Sequence, residues 1–286
     1  MSKSTPLVRK PAFVFLPPVI AAGVGFALIF QGVSFGAPNF EILEQRRAAR
    51  VEQGWTPPTL ELTDYLYPRL ATGFAGSEWV VVNKHRPLSP LDFEPQVREI
   101  ASSEALDNSR GLELRDVAAT ALEKMAAEML NEGIGQLFVN SAYRSYEYQK
   151  DLFVSKTEQY GEAEALIRSA RAGYSEHQTG LAVDVSVPAQ GCAIMQCFGD
   201  TVAGKWIAEN SWRFGYIVRY EQDTTAVTGY TYEPWHLRYV GTEIAKKYSQ
   251  DGIHTLEDFW GYPAAENYPE ITESTMDWAS LKTSSR

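Results

Sequence analysis

Histidine and cysteine are scarce in this chain, four and two residues among 286. The two cysteines, Cys192 and Cys197, do not stand at the Cys-x-x-Cys spacing of redox or zinc-ribbon motifs, so the sequence offers neither chemistry. Basic residues are outnumbered as well, 26 against 36 acids, for a formal charge of −10. That balance argues against a nucleic-acid partner, which calls for a clustered basic face. Charge runs, repeats and low-complexity tracts are missing too. The 44% of hydrophobic residues suffices for one good-sized core, and so for one main domain with appendages rather than two equal domains.

Lys3, Arg9 and Lys10 precede an uncharged stretch from Pro11 to Phe40, whose apolar part, Ala12 to Phe35, reaches the ~20 residues that cross a bilayer. Pro17 and Pro18 lie inside it, where a membrane helix tolerates proline. The stretch reads as an anchor over 12–36 behind a cytoplasmic tail, 1–11, with the rest of the chain outside the membrane. The alternative is a signal peptide cleaved near Ser34-Phe35-Gly36, although the apolar region exceeds the usual ~7–15 residues. Arg46, Arg47 and Arg50 match the three basic residues before the stretch, so charge counting does not orient it. Cys192 and Cys197 are spaced to close a small disulfide loop, which would place the domain outside the cytoplasm; two free thiols in a loop are the other reading.

A stalk with a short helix follows over 37–78, broken at Pro57-Pro58. The folded domain is expected over 79–262, with a tail over 263–286. Glu78-Trp-Val-Val-Val-Asn83 has the β-branched run of a strand. Apolar residues at helical spacing from Leu114 to Leu130, followed by Gly133, predict a core helix. Strands are predicted at 136–140, 181–187 and 216–220 and from His236, with helices after Ser145, over 206–212 and over 242–248. This order gives an α+β domain: a small, largely antiparallel sheet flanked by helices.

Two of the four histidines sit beside acids in marked segments, Ser175-Glu-His177-Gln-Thr-Gly180-Leu-Ala-Val-Asp184 and Glu233-Pro-Trp-His236. Gly180 lets the chain fold back, so His177 and Asp184 can meet at one metal that His236 completes. Two imidazoles and one carboxylate suit Zn2+ and leave a fourth position for water, as in catalytic sites. Pro234 keeps Glu233 extended beside the metal, where it can take a proton from the attacking water and give it to the leaving amine. A salt bridge between Glu233 and Arg238 is the bland alternative. Arg144, at a strand-to-helix junction, can bind a terminal carboxylate, stabilise an oxyanion, or both. Ser175 and Gln149 are candidate hydrogen-bond donors to a peptide backbone, and Tyr232 and Trp235 candidate pocket walls.

These motifs, with Ser-Ala-Tyr-Arg-Ser and Gln149 at 141–149, resemble the VanY-type D-alanyl-D-alanine carboxypeptidases from about Trp79 to Tyr262. The resemblance implies zinc ligands His177, Asp184 and His236, catalytic Glu233, and Arg144 as the substrate- or transition-state-binding arginine. It implies as partner a peptidoglycan stem peptide ending in D-alanine. L,D-carboxypeptidase or stem endopeptidase activity, or a non-catalytic wall-binding module, are the alternatives.

Overall fold

The computed structural model describes residues 71–269. The expected cytoplasmic tail, membrane segment, most of the stalk and the end of the C-terminal tail lie outside the described residues. Among the described residues, no helix is long and apolar enough to cross a membrane.

The short strands β1 (Arg98–Glu99), β2 (Leu106–Asp107) and β3 (Glu113–Leu114) precede the long helix α1 (Asp116–Asn131). The helix begins two residues later than its periodicity predicts, because Leu114 is held in β3 by pairing with Arg98. It buries Ala118, Leu122, Met125, Ala126 and Met129. Its end is closed where Gly133 donates to the Leu130 carbonyl and Ile134 to that of Met129. Strand β4 (Leu137–Ser141) leads to α2 (Tyr146–Tyr160), whose cap is the predicted Ser145, its hydroxyl accepting from Tyr148 N–H at 3.2 Å. Helix α3 (Glu162–Arg168), a 3-10 turn (Glu176–Thr179) and β5 (Ala182–Ser186) follow. Then come α4 (Val202–Asn210), β6 (Tyr216–Tyr220), β7 (Glu233–Tyr239), α5 (Thr242–Gln250) and α6 (Leu256–Trp260).

Five strands form one sheet in the order β2-β4-β5-β7-β6. Only the β2–β4 pair is parallel. The α+β class and the largely antiparallel sheet therefore stand as expected. Alternation along the strands divides the sheet into two unlike faces. Val183, Val185, Tyr216, Val218 and Leu237 turn to the main core with α1 and α4. Asp184, His236, Arg238 and Arg219 occupy the alternate positions, and Ile217 on that side joins a second core with α5 and α6.

Two expectations are corrected. Val80, Val81 and Val82 form no strand: Val80 and Val82 pack with Ala75 and Leu88, while Val81 packs in the α5–α6 core. The Val80 and Val81 carbonyls accept from the Arg238 and Arg86 guanidinium groups, so arginine side chains satisfy the backbone where a partner strand would. The packed region also passes both limits of 79–262. Ala75 and Ala265 are buried, and the Lys84 ammonium donates to the Gly229 and Glu266 carbonyls.

Candidate metal centre

His177 stands in the 3-10 turn, which Gly180 ends with φ +68°. A Cβ at Gly180 would lie 3.0 Å from Arg115 and 3.1 Å from Val97, so space and backbone both require glycine there. The turn feeds β5, and the register sets Asp184 directly opposite His236 of β7. Neighbouring strands thus bring these two side chains together on the polar face.

The histidine tautomers follow from their partners. His177 Nδ1 lies 2.7 Å from the Ala142 carbonyl oxygen, which can only accept, so Nδ1 carries the proton and Nε2 presents a lone pair. That Nε2 is buried without a hydrogen-bond partner, 3.3 Å from Asp184 Oδ2. His236 is turned the other way: Nδ1 faces Asp184 Oδ1 at 3.2 Å, and Nε2 faces Glu176 Oε2 at 3.4 Å. One donor atom from each of His177, Asp184 and His236 lies within 4.8 Å of the others. The convergence of an orphaned imidazole nitrogen with a carboxylate and a second imidazole fits a divalent metal of zinc type.

Glu233 reaches the same face through an irregularity in β7. Between the pairs Val218↔Leu237 and Tyr220↔Glu233, β6 advances two residues and β7 four. The extra length bulges at Pro234-Trp235 and swings Glu233 round to the side of His236, with Oε2 3.6 Å from His236 Nδ1. Burial, reinforced by the charge of Asp184 and opposed by His236, pushes the Glu233 carboxyl up to about 7.

Arg144 enters from the β4–α2 junction. Its Nη1 donates to Gln149 Oε1 at 2.9 Å, and Nη2 lies 3.6 Å from Asp184 Oδ2. Gln149 is fully buried and spends its amide on Ser169 and the Ala170 carbonyl, so it positions Arg144 instead of meeting substrate. Trp235 packs against the main core, because it stands two residues from Leu237 and so shares the apolar face, opposite His236. Tyr232 stands over Gly199 and lines a separate cavity with Trp212, Glu221 and His254. Trp235 is therefore turned away from the metal centre, which corrects the expectation for that residue. Ser175 is buried at the start of the 3-10 turn and does not cap it. Cys192 and Cys197 are bonded to one another.

Sequence reasoning missed Glu176. Its Oε1 accepts from Arg219 Nε and Arg238 Nη1, each at 2.9 Å, and Arg219 forks onto both Glu257 oxygens at 3.0 and 2.7 Å. All four side chains are fully buried. Arg238 therefore belongs to Glu176 and not to Glu233. The available signal was a charge inside each of two apolar strands, Tyr-Ile-Val-Arg219-Tyr and His-Leu-Arg238-Tyr, since a buried arginine demands a partner. Tyr220 was missed as well; its ring lies 4.9 Å from that of His236, tilted by 50°.

The charges dictate how metal enters. Burial, with the Arg144 charge adding to it, holds His177 down to about 4, already neutral at pH 7. Burial also acts to lower His236, but hydrogen bonds to Asp184 and Glu176 outweigh it and push the imidazole up to about 9. A metal taken at Nδ1 must displace that proton. Titration calorimetry near pH 7, in buffers of differing ionisation enthalpy, is expected to show at least one proton released per metal ion, that of His236 with a further part from Glu233. Affinity should fall as pH falls; uptake without proton release would contradict a protonated His236.

A family model described as VanY, D-alanyl-D-alanine carboxypeptidase, matches residues 111–242. The putative carboxypeptidase YodJ of Bacillus subtilis (strain 168) is 40% identical over 182 residues, 63% of this chain and 66% of that relative, so about a third of YodJ has no counterpart in the match. The solved LdcB LD-carboxypeptidase is 36% identical, with a TM-score of 0.58 over 66% of this chain and 88% of that one. A mutant of the vancomycin-resistance D,D-pentapeptidase VanY, in complex with Zn(II), is 30% identical, with a TM-score of 0.53 over 63% of this chain and 97% of that one.

Proposed function

The chain belongs to the VanY family of D-alanyl-D-alanine carboxypeptidases, and from that premise we propose that it is a zinc-dependent carboxypeptidase removing a C-terminal D-alanine from peptidoglycan stem peptides. The observation that carries this reading is the convergence of His177, Asp184 and His236 with a buried carboxyl, Glu233, 3.6 Å from His236. A pure binding module has no use for that fourth group.

His177, Asp184 and His236 are the proposed zinc ligands. Zn2+ held there is a Lewis acid that acidifies water and polarises a carbonyl, and its charge draws the Glu233 titration below the metal-free value. Glu233 is the general base: its carboxylate accepts the proton of the attacking water, then returns it to the departing amine of D-alanine. Arg144 supplies the nearby positive charge, either for the substrate's terminal carboxylate or for the oxyanion that forms as water adds. Glu176 fixes His236 from behind, and the Ala142 carbonyl does the same for His177.

Because Gln149 holds the Arg144 fork, Gln149→Leu should lower kcat/KM about tenfold, the magnitude of one lost hydrogen bond to a charged group. Zinc content should not change. Equal loss of zinc would make Gln149 part of the metal scaffold.

The site is proposed to work outside the cytoplasmic membrane, tethered by 12–36, or secreted if that segment is cleaved. The apolar run supports the tether, and the Cys192–Cys197 bond supports an oxidising compartment. Mass analysis after incubation with tetrapeptide and pentapeptide stems, with and without a chelator, tests the reading. Chelator-sensitive loss of one alanine supports it. A chain that reacts only with the tetrapeptide is L,D-specific, an outcome to which the likeness to LdcB lends weight. Zinc binding without cleavage of either stem would sink the enzymatic reading in favour of a wall-binding module.

A further inference from the structure

Beyond the β7 bulge the ladder resumes at one pair, Tyr220↔Glu233, and Glu233 is the first residue of the strand, so its position also depends on what packs beside it. Its two sequence neighbours, Tyr232 and Pro234, both lean on Gly199. A Cβ at Gly199 would lie 2.1 Å from the Tyr232 hydroxyl oxygen, 3.0 Å from Cζ and 3.3 Å from Pro234 Cβ, so the contact exists only because residue 199 lacks a side chain. Gly199 sits in the 3-10 turn Gln196–Asp200, which Phe198 anchors in the main core. Cys197, in the same turn, is bonded to Cys192. The loop so closed holds Cys192 and Ile194 in the left-handed region, at φ 59° and 54°. A β-branched residue does not stay there unless the surroundings impose it.

We propose that this disulfide-closed loop and the turn after it are a positioning rest for Glu233. Gly199 seats Tyr232 and Pro234 on either side of the base, and the Cys192–Cys197 bond keeps Gly199 where it can do so. Tyr232, Gly199 and the cysteine pair are positioning residues, since they act through Glu233 and none of them belongs to the His177–Asp184–His236 donor cluster. The inference rests on Glu233 being the base of the proposed reaction.

The test uses the full chain loaded with zinc and a stem peptide that it cleaves. Gly199→Ala should lower kcat by about tenfold or more, the effect of a displacement below 1 Å at a catalytic group, with KM and zinc content unchanged. Tyr232→Phe placed in that background removes the atom that the new Cβ strikes, and should restore most of kcat. The paired change Cys192→Ser and Cys197→Ser should lower kcat in the same way, again at constant KM and zinc. Melting curves show whether each variant is folded; if Gly199→Ala is not, the cysteine pair decides on the same readouts. Wild-type kcat in Gly199→Ala, no recovery with Tyr232→Phe, or zinc lost in parallel with activity would each overturn the proposal. A wild-type chain that binds zinc and cleaves no stem peptide overturns the base assignment itself, and the rest with it.

Discussion

Glu233→Gln is expected to lower the turnover of D-alanine release by about 10²–10⁴-fold, the usual contribution of a general acid–base group. The amide keeps the shape of the carboxyl but neither accepts the water proton nor passes it on. Zinc content should hold, because the ligand set does not include residue 233. Stability responds in the opposite direction. Burial raises this carboxyl from an ordinary 4.5 to about 7, so in the metal-free chain the folded state holds its proton more tightly than the unfolded state. A raised carboxyl pKa makes stability fall as pH climbs from about 4.5 to 7. Glu233→Gln removes that slope, and the metal-free variant should melt at or above the wild-type temperature at pH 7. Kinetics with the preferred stem peptide and calorimetric melting at pH 5 and 7 check both halves; a variant that is active, or that loses stability at pH 7, contradicts the assignment.

The second large effect is structural. Glu176→Ala removes the one carboxylate that meets both Arg219 and Arg238, leaving two fully buried guanidinium groups short of a counter-charge. Breaking a buried pair from one side costs about 3–5 kcal/mol. For a domain of this size that corresponds to roughly 6–20 °C in Tm. The Glu176 carboxyl is held far below the usual range: burial opposes ionisation, but Arg219 and Arg238 overcome it. A depressed carboxyl pKa gives stability that is present above the ordinary value, 4.5, and is lost as pH falls below it. Thermal melts of Glu176→Ala should therefore lie well below wild type at pH 7, with the gap narrowing in acid. Glu176→Gln keeps an acceptor for the arginines but weakens the brace on His236, and its zinc affinity should drop about 10–100-fold. Melts of Glu176→Ala that match wild type at pH 7 would deny the network its role.

The centre was legible because the three metal-ligand candidates and Glu233 occupy two short segments whose spacing carries meaning by itself. Gly180 announces the turn, and the alternation of valines around Asp184 gives the strand and its polar face. The helices over 116–131 and 146–160 were legible from periodicity and from Ser145. What escaped depends on partners remote in sequence. The valine run at 80–82 has strand composition, yet arginine side chains from positions 86 and 238 take its carbonyls. Trp235 reads as a pocket wall until the strand is seen to begin at Glu233, which puts Trp235 on the core face with Leu237, and no local pattern reports the bulge that brings Glu233 to the side of His236. Gln149 looks like a free donor only until Arg144, Ser169 and Ala170 are seen around it.

The bracket behind His236 also has a temporal meaning. Synthesis runs from the N-terminus, so all three metal donors exist once His236 has been added, while Glu257 and the helix that carries it, Leu256–Trp260, do not. Until that helix docks, Arg219 lacks its forked partner, and of the two arginines on Glu176 only Arg238 has its other contacts in place. The brace on His236 is thus weaker before the helix docks, and metal capture is expected to tighten when it does. A protease cut ahead of Leu256 would return a completed molecule to the same early condition with every ligand still in place.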